Sequence, residues 1–312
     1  MRIGLMVEGQ NGLNWNRWET ILRHAEDGGF QCVFRSDHFT NPAPPEQDSL
    51  ELWTSLTWAA TNTRRLEFGP LVSPVTFRHP AMTVRQAAAV DDLSNGRLVL
   101  GLGAGWQERE HRMFGVPFHD FRTRFEMLTD ALEMTTRLYT GGTVSYAGKH
   151  FALDEAILMP PPARRTPILI GGNGPKRTLP LAAQYADEWN AVFCNLEVYR
   201  ERMERLDRLL ADRGRKPSEV KRSLMTAARW ARDDRGVKEL LAAASKRLGK
   251  DAGIEDLTRM GMFAGTSSMI AEQIATFAEA GCQRVMLQVP DYDDLGVVDA
   301  WAKDVVPQFH RS

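Results

Sequence analysis

The chain has 312 residues, of which 43% are apolar, and its 39 basic side chains nearly balance 40 acidic ones, for a formal charge of −1. This apolar content supports a sizeable core and excludes a disordered chain. The balanced charge argues against a protein that holds nucleic acid through a broad basic surface, and the lack of an apolar run of about 18 residues argues against a membrane-spanning segment.

Short predicted strands alternate with longer predicted helices through the first half of the chain. The helices are recognised by apolar residues at helical spacing, and the strands by short apolar runs. The predicted strands are Arg2–Val7, Gln31–Arg35, Leu66–Val72 and Leu98–Leu102, and the predicted helices are Trp15–Gly28, Ser49–Asn62, Pro80–Leu93 and Phe121–Tyr139.

The alternation pauses at an insertion over about residues 143–165, where Thr143–Leu153 carries the period-2 pattern of a hairpin and Pro160–Pro162 predicts a stiff connection. A second insertion, Asp233–Met260, is predicted to be helical. The remaining predicted strands are Pro167–Ile170, Glu188–Phe193, Lys221–Ala227 and Arg284–Val289, and the remaining helices are Thr178–Tyr185, Leu196–Arg213, Ser267–Ala280 and Leu295–Val305.

Eight strand–helix units fill the chain, at an average of about 39 residues each. Strands that alternate with helices imply parallel pairing, and eight such units suit a single (β/α)8 TIM barrel. We therefore expect an α/β fold with one domain over residues 1–312. The active site of such a barrel lies at the carboxyl ends of its strands.

The three cysteines, Cys32, Cys194 and Cys282, are odd in number and far apart in the chain. They show no zinc-ligand spacing, so we expect buried, reduced thiols. The apolar stretch Ile3–Val7 is too short for the core of a signal peptide. The sequence thus predicts a cytoplasmic protein.

The end of the second predicted strand carries Asp37 and His38. A carboxylate and an imidazole at the mouth of a barrel can position a ligand and exchange a proton with it. Such a dipeptide caps a loop more often than it catalyses, but its position here favours function. The other histidines are predicted on helices, in loops or in the hairpin, at His24, His79, His111, His119, His150 and His310.

Glycines cluster at the ends of the fourth and fifth predicted strands. Gly101, Gly103 and Gly105 would let the backbone approach a flat ligand, but Trp106 stands where a dinucleotide fingerprint needs glycine. The loop Gly171–Arg177 offers backbone N–H groups and two basic side chains just before a helix. It predicts a phosphate site, with a plain turn as the alternative.

Other barrel chemistries lack their residues in this chain. A metal-dependent hydrolase would need His-x-His after the first strand, where Val7–Gln10 has no histidine. A glycosidase would need paired carboxylates, and a pair of Glu8 and Asp37 would leave the glycine clusters unexplained. A Schiff-base aldolase would need a lysine inside a strand, and Lys221 stands at the wrong end of the seventh.

Four segments, in this order, resemble the bacterial-luciferase-like oxidoreductases, and most closely the branch that uses the 5-deazaflavin coenzyme F420. They are SDHF at 36–39, LVSPVTFRHPA at 71–81, GRLVLGLGAGWQERE at 96–110 and PILIGGNGPKRTLPLAAQYADEWN at 167–190. The resemblance covers nearly the whole chain. It specifies the superfamily better than the cofactor, because sister branches use FMN, and it does not indicate the substrate.

The resemblance implies a TIM barrel, usually dimeric, that holds a flavin or deazaflavin in its mouth. It also implies a non-prolyl cis peptide near Leu71–Val72, behind the ring, and a phosphate held by the glycine loop. The implied cofactor-binding residues are Asp37, Leu71, Val72, Ser73, Ala104, Gly105, Gln107, Gly171, Gly172, Asn173 and Gly174, and the catalytic candidates are His38, Asp37 and Glu108.

We therefore expect an oxidoreductase that transfers a hydride between F420 and a small organic substrate, with His38 as general acid or base. An FMN-dependent monooxygenase or reductase of the same fold is the alternative. A catalytically idle flavin-binding relative and an unrelated barrel hydrolase or lyase come after it. We expect a homodimer that needs no metal and binds neither nucleic acid nor membrane.

Overall fold

A computed structural model describes residues 1–309 and has the predicted alternation of strands and helices. His310, expected on a flanking helix, lies outside the described residues. The elements of the first half are β1 (Arg2–Val7), α1 (Trp15–Asp27), β2 (Cys32–Arg35), α2 (Leu52–Asn62), β3 (Glu67–Pro70), β4 (Ser73–Pro74), α3 (Pro80–Leu93), β5 (Leu100–Gly103), α4 (Glu108–Met113) and α5 (Phe121–Leu138).

The second half continues the pattern around a hairpin and a helical insertion. Its elements are β6 (Val144–Ala147), β7 (Ala152–Ala156), β8 (Ile168–Gly171), α6 (Thr178–Tyr185), β9 (Glu188–Val192), α7 (Leu196–Ala211), a 3-10 turn (Pro217–Glu219), β10 (Lys221–Trp230), α8 (Asp234–Leu248), α9 (Ile254–Arg259), β11 (Phe263–Gly265), α10 (Ser267–Glu279), β12 (Arg284–Gln288), α11 (Gly296–Asp304) and α12 (Val306–Phe309).

The parallel strands close into a barrel. β1 pairs with β2 and β12, and the order continues through β10, β9 and β8 to β5. β3 pairs with β2 and β4 pairs with β5, so these two short segments form one barrel strand interrupted at Leu71 and Val72. Backbone bonds from Phe68 N to Arg97 O (3.1 Å) and from Val99 N to Phe68 O (2.9 Å) complete the ring.

The barrel interior is filled from the amino end upward, so only the carboxyl end of the strands is open. Met6, Phe34, Leu169 and Met286 form part of an apolar cluster inside the barrel. At the amino end, the fully buried Arg284 pairs with Glu67 and, at 3.3 Å, with Glu188. A larger apolar layer lies between the strands and the surrounding helices, as in other barrels.

The insertions pack less tightly than the barrel. The antiparallel hairpin β6–β7 is held to α5 through Asp130, which accepts bonds from Tyr146 Oη (2.8 Å) and His150 N (2.7 Å). The 15-residue helix α8 has no buried residue. As expected, Cys32, Cys194 and Cys282 are buried and free. Within residues 1–309, no helix combines the length and apolar character needed to cross a bilayer.

Candidate active site

A cleft of about 600 Å³ opens at the carboxyl ends of the barrel strands, where the fold predicts an active site. Its floor is apolar and continues the interior of the barrel, through Leu71, Val72 and Met225. Another cavity, of about 550 Å³, lies outside the barrel between α7 and α10. The polar residues that line the cleft are Glu8, Gln10, Asn11, Ser36, His38, Asn41 and Gln288.

Val72 explains much of the glycine pattern. The peptide bond between Leu71 and Val72 is cis, as the resemblance implies. A Cβ on Gly103 would lie 2.4 Å from a methyl carbon of Val72, and one on Gly101 or Gly171 would lie 3.2 Å from the other methyl carbon. Gly103 therefore makes room for Val72, whereas Gly101 makes room first for the backbone oxygen of Pro70, which would lie 2.1 Å from its Cβ. Gly171 also lines the cleft.

Arg35, at the end of β2, holds the loop that carries His38. Its buried guanidinium donates to Ser55 Oγ (2.6 Å) and to Leu50 O (2.6 Å), and it lies over the ring of Trp18. Burial lowers the pKa of Arg35 to about 10, although the charge of Asp37 opposes this. These bonds tie the strand end to the start of α2, so the residues that follow Arg35 have a fixed direction.

His38 is hydrogen-bonded to a buried carboxylate that the sequence analysis did not identify. Its Nδ1 lies 2.9 Å from Oε1 of Glu110, and Oε2 of Glu110 accepts the N–H of Phe39 at 2.9 Å. The side chain of Glu110 is 1% exposed and that of His38 is 13% exposed. A carboxylate on Nδ1 leaves Nε2 as the imidazole nitrogen that a ligand can reach.

The charge around His38 favours its protonated form. Burial alone would lower the pKa of His38, but the hydrogen bond and charge of Glu110 outweigh it. The carboxylates of Glu8 and Asp37 act in the same direction, so the pKa of His38 is raised above its ordinary value. An imidazole with a raised pKa can act as an acid near neutral pH as well as a base.

The short helix α4 brings Glu110 to His38, and aromatic contacts hold it there. Phe114, at the end of α4, packs edge-on against Phe39, with ring centroids 4.9 Å apart. Phe39 also stacks on Phe77 at 4.2 Å. His111 of the same helix is buried and lies 2.8 Å from Thr76 Oγ1. The run of Glu110, His111 and Phe114 at helical spacing is the sequence signal that could have identified this helix.

Asp37 does not line the cleft. Ser73 Oγ donates to its Oδ2 (2.8 Å), and Arg78 binds both of its oxygens, at 2.5 and 3.3 Å. Arg78 also reaches Glu51 at 3.0 Å. Neither Asp37 nor Ser73 lines the cleft, and the bonds of Asp37 join the loop after β2 to β4 and to the loop that follows it.

Three predicted residues after β5 also do not line the cleft. Gln107 is buried, and its Nε2 donates to Thr40 O (2.7 Å), so it fixes the loop after β2. Glu108 is exposed at the first turn of α4. It does not line the cleft, whereas Glu110, two residues later on the inner face of α4, is buried beside His38. Ala104 is half-buried beside the cleft without lining it.

The glycine loop lies at the cleft, but fewer of its backbone N–H groups are available to a phosphate than the sequence predicts. Gly171 and Gly172 line the cleft, and Gly172 has a φ of 120°. The N–H of Gly172 is already bonded to Asn190 O (2.9 Å), whereas the N–H groups of Asn173 and Gly174 have no acceptor among residues 1–309. The side chain of Asn173 bonds to Val192 instead of facing the cleft.

Two arginines of α7 support this loop from behind. Arg202 Nε donates to Asn173 O (2.9 Å), and Arg205 Nε donates to Pro175 O (2.8 Å). They add positive charge next to unbonded backbone N–H groups, which is the arrangement that binds phosphate in many proteins.

Within the described residues, no three histidine, cysteine or acidic side chains are grouped to hold a metal ion.

Glu8 and Trp106 complete the cleft, and the sequence analysis assigned a role to neither. Glu8 follows β1, and its carboxylate accepts bonds from Gln288 Nε2 (2.8 Å) and Gln10 Nε2 (3.2 Å). Trp106 is 61% exposed, and its ring lies edge-on to His38 with centroids 5.5 Å apart. The position of Glu8 directly after a strand was the available signal, and it is the same signal that identified His38.

Comparison with known proteins agrees with this geometry. Over 179 residues the chain is 32% identical to the F420-dependent hydroxymycolic acid dehydrogenase of Mycobacterium tuberculosis, a match that covers 56% of this chain and 49% of that protein, or about half its length. It is 24% identical to the F420-dependent glucose-6-phosphate dehydrogenase of Amycolatopsis mediterranei, with 91% of each chain covered.

Solved structures share the fold over almost the whole chain. An F420-dependent secondary alcohol dehydrogenase in complex with an F420–acetone adduct has a TM-score of 0.80, with 21% identity and 98% of each chain covered. A riboflavin lyase with modified FMN has a TM-score of 0.81, with 16% identity and 99% of this chain and 91% of that chain covered. Residues 1–262 match the family of luciferase-like monooxygenases, and the chain therefore belongs to that family.

Proposed function

We propose that this protein is an F420-dependent oxidoreductase that transfers a hydride between the coenzyme and a small organic substrate. The observation that carries the proposal is that His38, with Glu110 on its Nδ1, opens into the same cleft as Gly171 and Gly172. A proton-exchanging group and the start of a phosphate loop are the two things that a bound deazaflavin needs nearby. The names of the relatives, which specify F420, support the same cofactor.

The residues of the cleft suit the coenzyme. Its ring system is flat and its faces are largely apolar, which matches the floor made by Leu71, Val72 and Met225. Gly105 and Trp106 would form a wall beside the ring. Its phosphate is anionic and would be held by the N–H groups that follow Gly172, in the loop supported by Arg202 and Arg205.

When bound, the coenzyme supplies a hydride donor or acceptor, and the chain supplies the rest of the chemistry. Nε2 of His38 gives a proton to the substrate, or takes one from it, while Nδ1 stays bonded to Glu110. The buried bonds from Asp37 to Ser73 and Arg78 keep the His38 loop in place. Proton exchange with a positioned side chain of this kind contributes about 10²–10⁴-fold to the rate.

FMN is the alternative cofactor, because flavin and deazaflavin share a tricyclic ring and an apolar floor would not distinguish the two ring faces. Thermal melting with each cofactor distinguishes them. We expect F420 at about 100 times its Kd to raise the melting temperature by about 5 °C or more, and FMN to raise it less. A larger shift with FMN would favour an FMN-dependent monooxygenase or reductase, and no shift with either cofactor would contradict the proposed function.

The proposal includes a homodimer in the cytoplasm that acts without nucleic acid or membrane. Three free, buried thiols are typical of proteins in a reducing compartment. Exposed apolar side chains at the ends of α4 and α5, among them Phe114 and Phe121, offer surface that a second copy would cover. Sedimentation at several protein concentrations tests the dimer, and a monomer at all of them would remove it.

A further inference from the structure

The cleft carries a carboxylate and no permanent positive charge. Among the described residues that line it are Glu8 and the titratable His38, but neither lysine nor arginine. A substrate with a phosphate or carboxylate group is normally met by a lysine or arginine at its binding site, because an unpaired anion loses its hydration on entering a cleft. The described lining of this cleft offers no such side chain, and the backbone N–H groups that follow Gly172 are assigned to the phosphate of the coenzyme.

Three arginines of the loops and helices around the barrel mouth are already paired with carboxylates. Arg78 binds Asp37 and Glu51. Arg109 pairs with Glu46 and also donates to the backbone oxygen of Asn41 (2.8 Å). Arg17 donates to Asp293 Oδ1 at 2.7 Å. To bind an anionic substrate, any of these arginines would have to break its ion pair with a carboxylate. The new ion pair with the substrate would then only replace the one that was lost.

Glu8 is held so that it accepts hydrogen bonds in the cleft. Ser36 Oγ accepts the N–H of Gly9 (2.9 Å), so its hydroxyl is free to donate to Gln10 Oε1 (2.8 Å). This bond directs the amide NH₂ of Gln10 to Glu8 Oε2, while Gln288 donates to Oε1. A carboxylate has about four acceptor sites, so Glu8 retains capacity for a hydroxyl of the ligand.

We infer that the cleft takes an uncharged alcohol, or the carbonyl compound formed from it, and that Glu8 selects it by accepting a substrate hydroxyl and repelling phosphate esters and carboxylates. This inference rests on the proposed function. It separates the protein from the relatives named glucose-6-phosphate dehydrogenases, which match 91% of the chain. Like charges in a partly buried cleft reduce affinity by about tenfold or more.

The reaction balances with groups already named. In oxidation, the C–H bond of the carbinol carbon breaks and its electron pair leaves as hydride to the oxidised coenzyme. The O–H bond breaks and its proton goes to Nε2 of His38, while the C–O bond becomes C=O. No anion forms on the substrate at either end of the reaction, so a cationic side chain for the substrate is not needed.

The test compares a neutral ligand with its anionic counterpart on the coenzyme-loaded protein. The pairs are cyclohexanol with 4-hydroxycyclohexanecarboxylate, and glucose with glucose 6-phosphate, and calorimetry gives the dissociation constants. We expect cyclohexanol to bind at least about tenfold more tightly than the carboxylate, and glucose 6-phosphate to bind no better than inorganic phosphate. Equal or tighter binding of the anions would overturn the inference, and so would binding of neither alcohol.

Variants assign the selectivity to Glu8. Glu8→Gln should reduce the ratio between the dissociation constants of the anionic and neutral ligands to less than about threefold. Glu8→Asp should retain most of the ratio of the unaltered protein. Glu108→Gln removes an exposed carboxylate outside the cleft and should leave the ratio unchanged. An unchanged ratio in Glu8→Gln would overturn the role of Glu8. Melting with F420 alone is measured first: no shift contradicts the proposed function, whereas a shift without preference for alcohols contradicts this inference alone.

Discussion

Nδ1 of His38 and Oε1 of Glu110 lie 2.9 Å apart, and the second oxygen of the same carboxylate binds the N–H of Phe39. Both oxygens of Glu110 are thus used within one short segment of the loop after β2. The bond fixes the imidazole ring, keeps a proton on Nδ1 and presents Nε2 to the cleft. Glu110 is therefore a positioning residue for His38, 72 residues away in the chain.

Glu110→Gln should move the pH profile of alcohol oxidation to lower pH. Burial lowers the pKa of His38, and Glu110 opposes it through a hydrogen bond and its charge. Without that charge the pKa falls, so the neutral, proton-accepting form is present at lower pH. The measurement is kcat/KM against pH.

Glu108→Gln is the matched control for this variant, because it removes a carboxylate from the same turn of α4 without reaching His38. It should keep the pH profile of the unaltered protein. Glu8 and Asp37 also raise the pKa of His38 and remain in both variants. If both variants have the same profile, Glu110 does not control the protonation of His38.

His38→Ala should lower kcat by about 10²–10⁴-fold, because the substrate then lacks a positioned partner for its proton. The Kd of the coenzyme should change much less, because the apolar floor and the glycine loop remain. His38→Asn keeps a polar side chain and should be nearly as slow. Near-normal turnover at saturating coenzyme would remove His38 from catalysis and leave Glu8 as the next candidate.

Gly103→Ala should destabilise the protein and weaken coenzyme binding, because its Cβ would lie 2.4 Å from a methyl carbon of Val72. Overpacking of this kind costs about 1–3 kcal/mol. Gly253→Ala is the control, since its nearest neighbour would be 4.0 Å away. Thermal melting without and with F420 measures stability and coenzyme binding in both variants.

The double variant Val72→Ala/Gly103→Ala tests whether contact with Val72 causes the loss of stability in Gly103→Ala. The double variant should recover part of the stability that Gly103→Ala loses, because the colliding methyl groups are gone. If the double variant loses as much stability as the two single variants together, Gly103 is constrained by something other than Val72.

Gly172→Val should weaken coenzyme binding by tenfold or more, about 1.4 kcal/mol, because the loop needs a φ of 120° to direct the following N–H groups. Gly214→Val is a control for positive φ alone: Gly214 has a φ of 68° and no atom within 4 Å of its Cβ position. It should lose stability and keep coenzyme affinity. If Gly172→Val and Gly214→Val bind the coenzyme with equal affinity, the phosphate does not bind at the loop after Gly172.

The sequence by itself determined the barrel and the end of it that reacts. The barrel strands are short, almost continuously buried runs, and most of the helices between them bury one face, so apolar runs that alternate with helical periodicity are enough to count eight units. Chain order then assigns each strand end to one face, so His38, Gly171 and Gly172 could be assigned to one cleft before any contact was known. The cis bond at Leu71–Val72 followed from the resemblance.

Only the tertiary structure decided which polar groups meet. Glu108 and Glu110 lie two residues apart in the six-residue α4, and only the tertiary structure shows that Glu110 is the one buried against His38. Asp37 stands at a strand end, which predicts a ligand contact, but its carboxylate binds Ser73 and Arg78, which are 36 and 41 residues away. Glu8 reaches the cleft with Gln288, at the opposite end of the chain, as its neighbour. Pairings between distant residues depend on how the loops fold over the barrel mouth, and local periodicity does not encode that.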